Sequence, residues 1–315
     1  MAKYCYYMDM SKINTIVVSG GTHGNELTGV RLVSKWQNNP ECYNNLCPSA
    51  KVDLVLANPE AVRLNRRYVD HDLNRAFSKV CLETSEDSKL YEFRRAKELN
   101  ALYGSFCGKK NVDPKVDLLL DIHNTGSNMG MCLILSDRDP FAMRASATLA
   151  QEFNNVRIYL QPEERSQSPY FGTIARADIC IEIGPQHHGT LNALIFEDSE
   201  KLVKRCLELV EEWNRGELQK RSPIKVDVYT QYQDIGYPKP QGFFGTTAIS
   251  AMIHPDLYGM DFCRLEDGDN LFRTFDGKDI QYHGKSPVYP IFISEPAYYE
   301  KDIAMSLTTK TEELW

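Results

Sequence analysis

The sequence predicts an α/β fold: a central, largely parallel sheet with helices packed on it, followed by a smaller β-rich unit. Three observations carry this. Short apolar runs alternate with stretches of helical period through the first two thirds of the chain. Chemistry-bearing polar residues stand at the ends of three of those runs. From about Lys220–Lys225 the texture changes to short alternating segments, punctuated by Gly-Tyr-Pro, Asp-Gly-Asp and Asp-Gly-Lys turns. The expected division is an α/β domain over 1–221 and a β-rich domain over 222–315.

The elements follow in order. Thr15–Ser19 reads as a buried strand closed by Gly20-Gly21. Asn25–Asn38 reads as a helix with Leu27, Val30, Val33 and Trp36 on one face. Val52–Ala57 is the next strand, ending at Asn58-Pro59. Ser85–Tyr103 is a helix with a Ser/Asp start and Gly104 past its end. Leu118–Ile122 and Met131–Leu135 are strands. The Asp139-Pro140 pair opens a helix, because proline at the first helical position has its φ already set. Val156–Leu160 and Ile179–Ile183 are strands, and Ser199–Asn214 is an amphipathic helix closed by Gly216. Beyond residue 222, Val226–Tyr229, Thr246–Ile253, Leu271–Thr274 and Pro290–Ile293 read as short strands, with no long helix.

Composition limits the function. The chain has 315 residues, 42% hydrophobic, enough for one large core or two smaller ones. A net charge of −7 with acids and bases interspersed argues against nucleic acid as the partner. No basic-then-apolar leader and no 18-residue apolar run is present, so a soluble, cytoplasmic protein with no membrane partner is expected. The cysteine count is 9, odd and irregularly spaced with no Cys-x-x-Cys, which fits a reducing compartment. Cys132 and Cys180 lie inside strand-like runs and read as core fillers.

Three motifs carry chemistry: His23-Gly24-Asn25-Glu26, Asp121-Ile122-His123-Asn124 and Ile181-Glu182-Ile183-Gly184-Pro185. His23 and Glu26 are spaced to face one ion. His123 is at the end of another strand, on the sheet edge where open α/β folds bind ligands. Two imidazoles and a carboxylate are a zinc ligand set with room for a water. Asp121 has two readings, a turn cap or an acceptor that orients His123. Glu182 also has two: a structural ion pair within an apolar strand, or a general base. Arg66–Arg75 is dense in charge, either as a solvated loop or as donors for a carboxylate and a polarised carbonyl. His71 reads as structural or exposed, because His23, Glu26 and His123 already complete an open site. His187 and His188 read as a surface loop, with one of them at the entrance as the alternative. His254 and His283 read as structural.

These residues resemble the aspartoacylase family, including aminoacylase-3-like enzymes, in the aspartoacylase/succinylglutamate desuccinylase branch of zinc-carboxypeptidase-like folds. The matching stretches are Gly20–Gly29, Asn58-Pro59, Arg67–Arg75, Asp121–Thr125, Ser127–Gly130, Ile181–Gln186 and Glu295–Lys301, in order along nearly the whole chain. The resemblance implies a central mixed sheet flanked by helices, with the β-rich domain covering the metal edge. It implies one zinc per chain, held by His23, Glu26 and His123. Glu182 becomes the base and acid that activates water, and Arg67 the group that polarises the scissile carbonyl. Asn74, Arg75 and Tyr298 match residues that hold the substrate's α-carboxylate.

The expected reaction is cleavage of an N-acyl-L-amino acid, N-acetyl-L-aspartate foremost, to carboxylate and free amino acid. Rivals are deacylation of aromatic N-acyl amino acids, a succinylglutamate desuccinylase-like or carboxypeptidase activity, and, in a different class, a non-enzymatic zinc-binding protein. The partner expected is this small substrate; self-association into a homo-oligomer stays open. There are departures. The mammalian N-acetylaspartate-hydrolysing enzyme binds the side-chain carboxylate with an arginine ahead of the Glu182 motif. An ungapped count places Gly172 there, with Arg165 and Arg176 nearby as substitutes. Gly126 replaces a second threonine after the metal histidine, and a histidine pair follows Gln186.

Overall fold

A computed structural model of the chain describes residues 11–83, 89–104, 114–162, 164–240 and 248–315, with the backbone alone at 106–107 and 110–111. The expected helix start at Ser85, the strand start at Thr246, and the side chains of Cys5 and Cys107 lie outside the described residues. The strands are β1 (Thr15–Gly20), β2 (Lys51–Leu56), β3 (Phe106–Cys107), β4 (Lys110–Asn111), β5 (Leu118–Asn124), β6 (Gly130–Leu135), β7 (Val156–Leu160), β8 (Ala177–Gly184), β9 (Lys225–Gly236), β10 (Ala251–Ile253), β11 (Asn270–Thr274), β12 (Asp279–Gln281), β13 (Tyr289–Ile291) and β14 (Ile303–Leu314). The helices are α1 (Leu27–Asn38), α2 (Pro59–Leu64), α3 (Lys79–Glu83), α4 (Tyr91–Tyr103), α5 (Pro140–Glu152) and α6 (Ala193–Asn214).

The large sheet runs in the order β13-β14-β9-β7-β6-β8-β5-β1-β2. It is mixed. β2, β1, β5 and β8 are parallel, but β6 is antiparallel to β8. The connection 125–129 between β5 and β6 is too short for the helical crossover that parallel strands need, so the chain reverses. The C-terminal strands also depart from expectation. β9 pairs in parallel with β7, and β14 and β13 add antiparallel strands beyond it. They extend the central sheet, and the smaller sheet β10-β11-β12 stands beside it.

Local chemistry explains the helix ends. Asn58 accepts from Ala61 N and Asp139 from Ala142 N, each followed by proline at the first turn. α1 begins at Leu27, which leaves His23–Glu26 in the preceding turn. α6 begins at Ala193, ahead of the expected Ser199, because Asn192 accepts from the backbone N–H groups of Leu194 and Ile195.

Strand alternation then divides the residues between two faces. On β5 and β8, Leu118, Leu120, Ile122, Ile179, Ile181 and Ile183 enter the large core shared with α1, α5 and α6. Leu119 packs in a second core on the other side, with Val17, Leu99 and Phe171. Asp121, His123, Cys180 and Glu182 share the period and the side of Leu119. Burial of the apolar face fixes the register, and the register brings His123 opposite Glu182.

Candidate active site

The turn after β1 carries His23 and Glu26, and β5 carries His123. All three are buried, and their ligand atoms lie within 4.8 Å of one another. His23 Nδ1 is 2.6 Å from Glu26 Oε1, and His123 Nδ1 is 2.9 Å from Glu26 Oε2. The two Nδ1 atoms are 3.2 Å apart. Ligands about 2.1 Å from a tetrahedral ion sit roughly 3.4 Å from each other, so this spacing suits one cation. The far nitrogens point to the same conclusion. His123 Nε2 is 2.7 Å from Asp121 Oδ2, and His23 Nε2 is 3.0 Å from Asp72 Oδ1. An imidazole whose Nε2–H donates to a carboxylate presents a basic Nδ1 to the ion. The donor set thus fits a divalent metal. Asp121 is the acceptor of the two readings offered, itself held by Thr22 Oγ1 at 2.8 Å.

The charges respond to this crowding. Burial opposes ionisation of Glu26, yet His23 and His123 hold its carboxyl well below the usual range. Burial likewise opposes charge on His123, but Asp121 and Glu26 raise it well above the usual histidine value. Partial burial opposes charge on Asp72 as well, yet His23, Arg67 and Arg75 hold it far below the carboxylate range.

Glu182 lines the same cavity, with Arg67, Asn74, Arg75 and Tyr298. Among the described residues, no ion pair ties up its carboxylate. Burial pushes its carboxyl up to about 8, with Glu26 and Glu295 adding to the effect and His123 and Arg67 opposing it. A carboxyl poised near neutrality can take a proton and return it. Arg67 donates to Glu26 Oε1 at 3.1 Å and to Asp72 Oδ2 at 3.3 Å. Arg75 stacks on Tyr170, its guanidinium carbon 4.5 Å from the ring centroid.

Two carboxylates that sequence reading left without a role build this region. Glu92, fully buried on α4, accepts from the backbone N–H groups of Val69, Asp70 and His71 and from Asn58 Nδ2. It holds the loop that presents Arg67, Asn74 and Arg75. Glu295 Oε2 accepts from Thr125 Oγ1 and from Gly126 N, while Oε1 caps the turn bearing Tyr298 through Ala297 N. A Cβ at Gly126 would lie 2.9 Å from Pro296 Cδ, which explains the glycine there. The sequence signal for Glu92 is weak: one glutamate on the inward side of a helix. His188 is nearer the centre than the surface-loop reading, 3.7 Å from Glu295 Oε1 and 4.0 Å from Glu26 Oε1. His254 is buried against Arg273, and His71 packs on Phe93.

The substitute arginines are committed elsewhere. Arg165 donates to Asp178 Oδ1 at 2.5 Å and to the carbonyls of Gly172 and Ala175. Arg176 pairs with Asp117 and Asp139. Both line a different surface depression.

Comparison with known proteins agrees with this architecture. Residues 12–210 match the profile of the succinylglutamate desuccinylase/aspartoacylase catalytic domain, and residues 224–310 that of the AstE/AspA barrel-sandwich hybrid domain. The structure of murine aminoacylase 3 superposes with a TM-score of 0.86 at 33% identity, covering 96% of this chain and 97% of that one. A probable aspartoacylase of Trichodesmium erythraeum is 39% identical over 96% of this chain and 98% of its own length. Mouse aspartoacylase is 39% identical, covering 95% and 93%. The human N-acyl-aromatic-L-amino acid amidohydrolase (carboxylate-forming) is 36% identical, covering 95% and 91%. Fold and relatives together define a hydrolase acting on amides. The chain belongs to the succinylglutamate desuccinylase/aspartoacylase family. No helix among the described residues is long and apolar enough to cross a membrane.

Proposed function

We propose that this chain hydrolyses N-acyl-L-amino acids to a carboxylate and the free amino acid, with one zinc ion held by His23, Glu26 and His123. The observation that carries the reading is the convergence of His23 Nδ1, His123 Nδ1 and Glu26 beside a cavity lined by both histidines, Glu182, Arg67 and Arg75. When bound, zinc supplies a Lewis acid and lowers the pKa of water. Glu182 accepts the proton of the attacking water and delivers it to the leaving amine. Arg67 neutralises charge that builds on the carbonyl oxygen. Arg75 takes the α-carboxylate, helped by Asn74 and Tyr298, because a planar guanidinium matches that group with two parallel bonds. Burial keeps the Tyr298 hydroxyl protonated, so it can donate.

The names of the relatives favour N-acetyl-L-aspartate as substrate. One structural observation favours another side chain: among the described residues lining the cavity, the guanidinium groups are those of Arg67 and Arg75. Both already have assigned partners in the reaction, and neither Arg165 nor Arg176 lines the cavity. The test is turnover of a panel of N-acetyl-L-amino acids by zinc-loaded protein. Hydrolysis abolished by Glu182→Gln with zinc retained supports the reading. A protein that turns over no member of the panel refutes it.

A further inference from the structure

Arg67, Asn74 and Arg75 line the cavity, and the loop that bears them is held from behind. Glu92 stands in the first turn of α4 with no exposed surface. Its Oε1 accepts from Val69 N at 2.7 Å and from Asn58 Nδ2 at 3.2 Å. Its Oε2 accepts from Asp70 N at 3.0 Å and from His71 N at 3.1 Å. These donors fill the roughly four lone-pair directions that a carboxylate offers. Three successive backbone N–H groups turned to one anion form a nest, occupied here by a side chain of the same protein.

The grip is mutual. Leu90, at the N-cap of α4, supplies no side-chain cap, and Asp70 Oδ2 accepts from Tyr91 N at 2.8 Å instead. Turning any peptide at 69–71 would strand a donor against Glu92, which is costly. The held peptides lead into the groups that meet substrate. Arg67, ahead of them, has anchors of its own: its carbonyl accepts from Gly24 N, and its guanidinium donates to Glu26 and Asp72. The turn 73–75 instead follows directly from the held peptides through Asp72, whose side chain accepts from Asn74 N and whose carbonyl accepts from Arg75 N. A shift at 69–71 therefore falls on Arg75. Among the described residues, Glu92 bonds to none of His23, Glu26 and His123.

We propose that Glu92 is a positioning residue for Arg75: a buried carboxylate that never meets substrate sets where the α-carboxylate is held. The inference rests on the N-acyl amino acid hydrolase reading above and adds a residue to it. Glutamine at 92 has nearly the same shape, but one acceptor oxygen and a donor NH2 in place of the other. Whichever way the amide turns, its NH2 faces a backbone N–H, and the loop must move to part them. The α-carboxylate is bound before and during reaction alike, so its misplacement raises KM and leaves kcat.

The experiment is a double-mutant cycle on zinc-loaded protein, with N-acetyl-L-aspartate and N-acetyl-L-phenylalanine as substrates and circular dichroism as the check on folding. Glu92→Gln should raise KM roughly 10- to 100-fold, the worth of a hydrogen bond to a charged group, with kcat and zinc content near wild type. In an Arg75→Ala background the same substitution should change KM by less than about threefold, because residues that act as a unit are not additive. An equal rise in both backgrounds marks a merely structural role and overturns the proposal. So does an unchanged KM, or a fall in kcat accompanied by loss of zinc. If Glu92→Gln does not fold, Glu92→Asp, which keeps the charge on a shorter arm, is judged by the same criteria. If the wild type turns over neither compound, the hydrolase reading fails, and calorimetry of the zinc-loaded Glu182→Gln protein still decides the positioning role. Binding weakened about tenfold or more when Glu92→Gln is added supports it, on the same scale. Equal binding, or none in either protein, overturns it.

Discussion

The two faces of β5 and β8 are built from the same stretches of chain and do opposite work. On one face, Leu118, Leu120, Ile122, Ile179, Ile181 and Ile183 lie in the core beneath the helices. On the other, Asp121 and His123 stand beside Glu182, with Asp178 further along. The apolar face fixes register, and register aligns His123 with Glu182. Chemistry is therefore placed by packing that never touches the substrate. The difference teaches that removing a group from one face should change reaction and leave stability, while the other face should show the reverse.

That contrast can be broken or sharpened at five places. The largest effect belongs to His123→Ala, which removes one of three ligand atoms; metal content by atomic absorption should fall below about a tenth of wild type, and activity with it. Zinc retained at wild-type stoichiometry would show that His123 is not a ligand. Next, Glu182→Gln should lower kcat by about 10²–10⁴ with unchanged metal content and melting temperature. A near-normal kcat would place the base elsewhere. Third, Ile181→Ala, on the opposite face of the same strand, should cost about 2–5 kcal/mol in denaturant unfolding. Its kcat per folded molecule should stay close to wild type, and a large loss would mean that the faces are not separable.

Fourth, Glu295→Gln weakens the charged acceptor between Gly126 and the turn bearing Tyr298. A loss of about 1.5–3 kcal/mol, read as a raised KM together with a lowered melting temperature, is expected. Unaltered KM would confine Glu295 to scaffolding. The smallest effect is in pH. Burial and Arg75 push the Lys301 ammonium down to about 8. A lowered lysine is charged below that value and neutral above it. KM for an anionic substrate should therefore rise about two- to fivefold as pH passes upward through 8, on the scale of about 0.5–1 kcal/mol for a solvent-screened charge. Lys301→Met should flatten that rise, and an identical pH profile in the variant would exclude Lys301 as its source.

Much of the fold and the centre of the site are legible in the sequence because their signals are local. The runs at Thr15, Leu118 and Ile179 are strands, and His23, Glu26, His123 and Glu182 stand at strand ends or in the turn after one, where the donor types and their glycine-rich and strand-end context together suggest a metal. The pairing of those strands was less legible. β6 reverses against β8, and β9 joins β7, through choices of partner that no window of sequence contains. The early start of α6 depends on Asn192, whose capping role is visible only with its backbone partners. Glu92 and Glu295 act across sequence separations of 23 and 170 residues, so neither carries a motif of its own. The surroundings of Gly172 are illegible for a related reason. The departure shows in the sequence, but the carboxylate of Asp178 that stands against it follows from folding, as does the engagement of Arg165.

The continuity of the nine-stranded sheet has a mechanical consequence. β9 hydrogen-bonds to β7 on one side and along its length to β14 on the other. A covering segment hung on a flexible tether could swing aside to admit substrate; one stitched in by ladders of backbone bonds cannot do so without breaking them. Traffic into the cavity must then pass through movement of loops at the rim. Severing the chain near residue 222 would also uncover the edge of β7, a template for pairing between molecules. The first 221 residues expressed alone should therefore aggregate rather than survive as a small soluble enzyme, which size-exclusion chromatography would show directly.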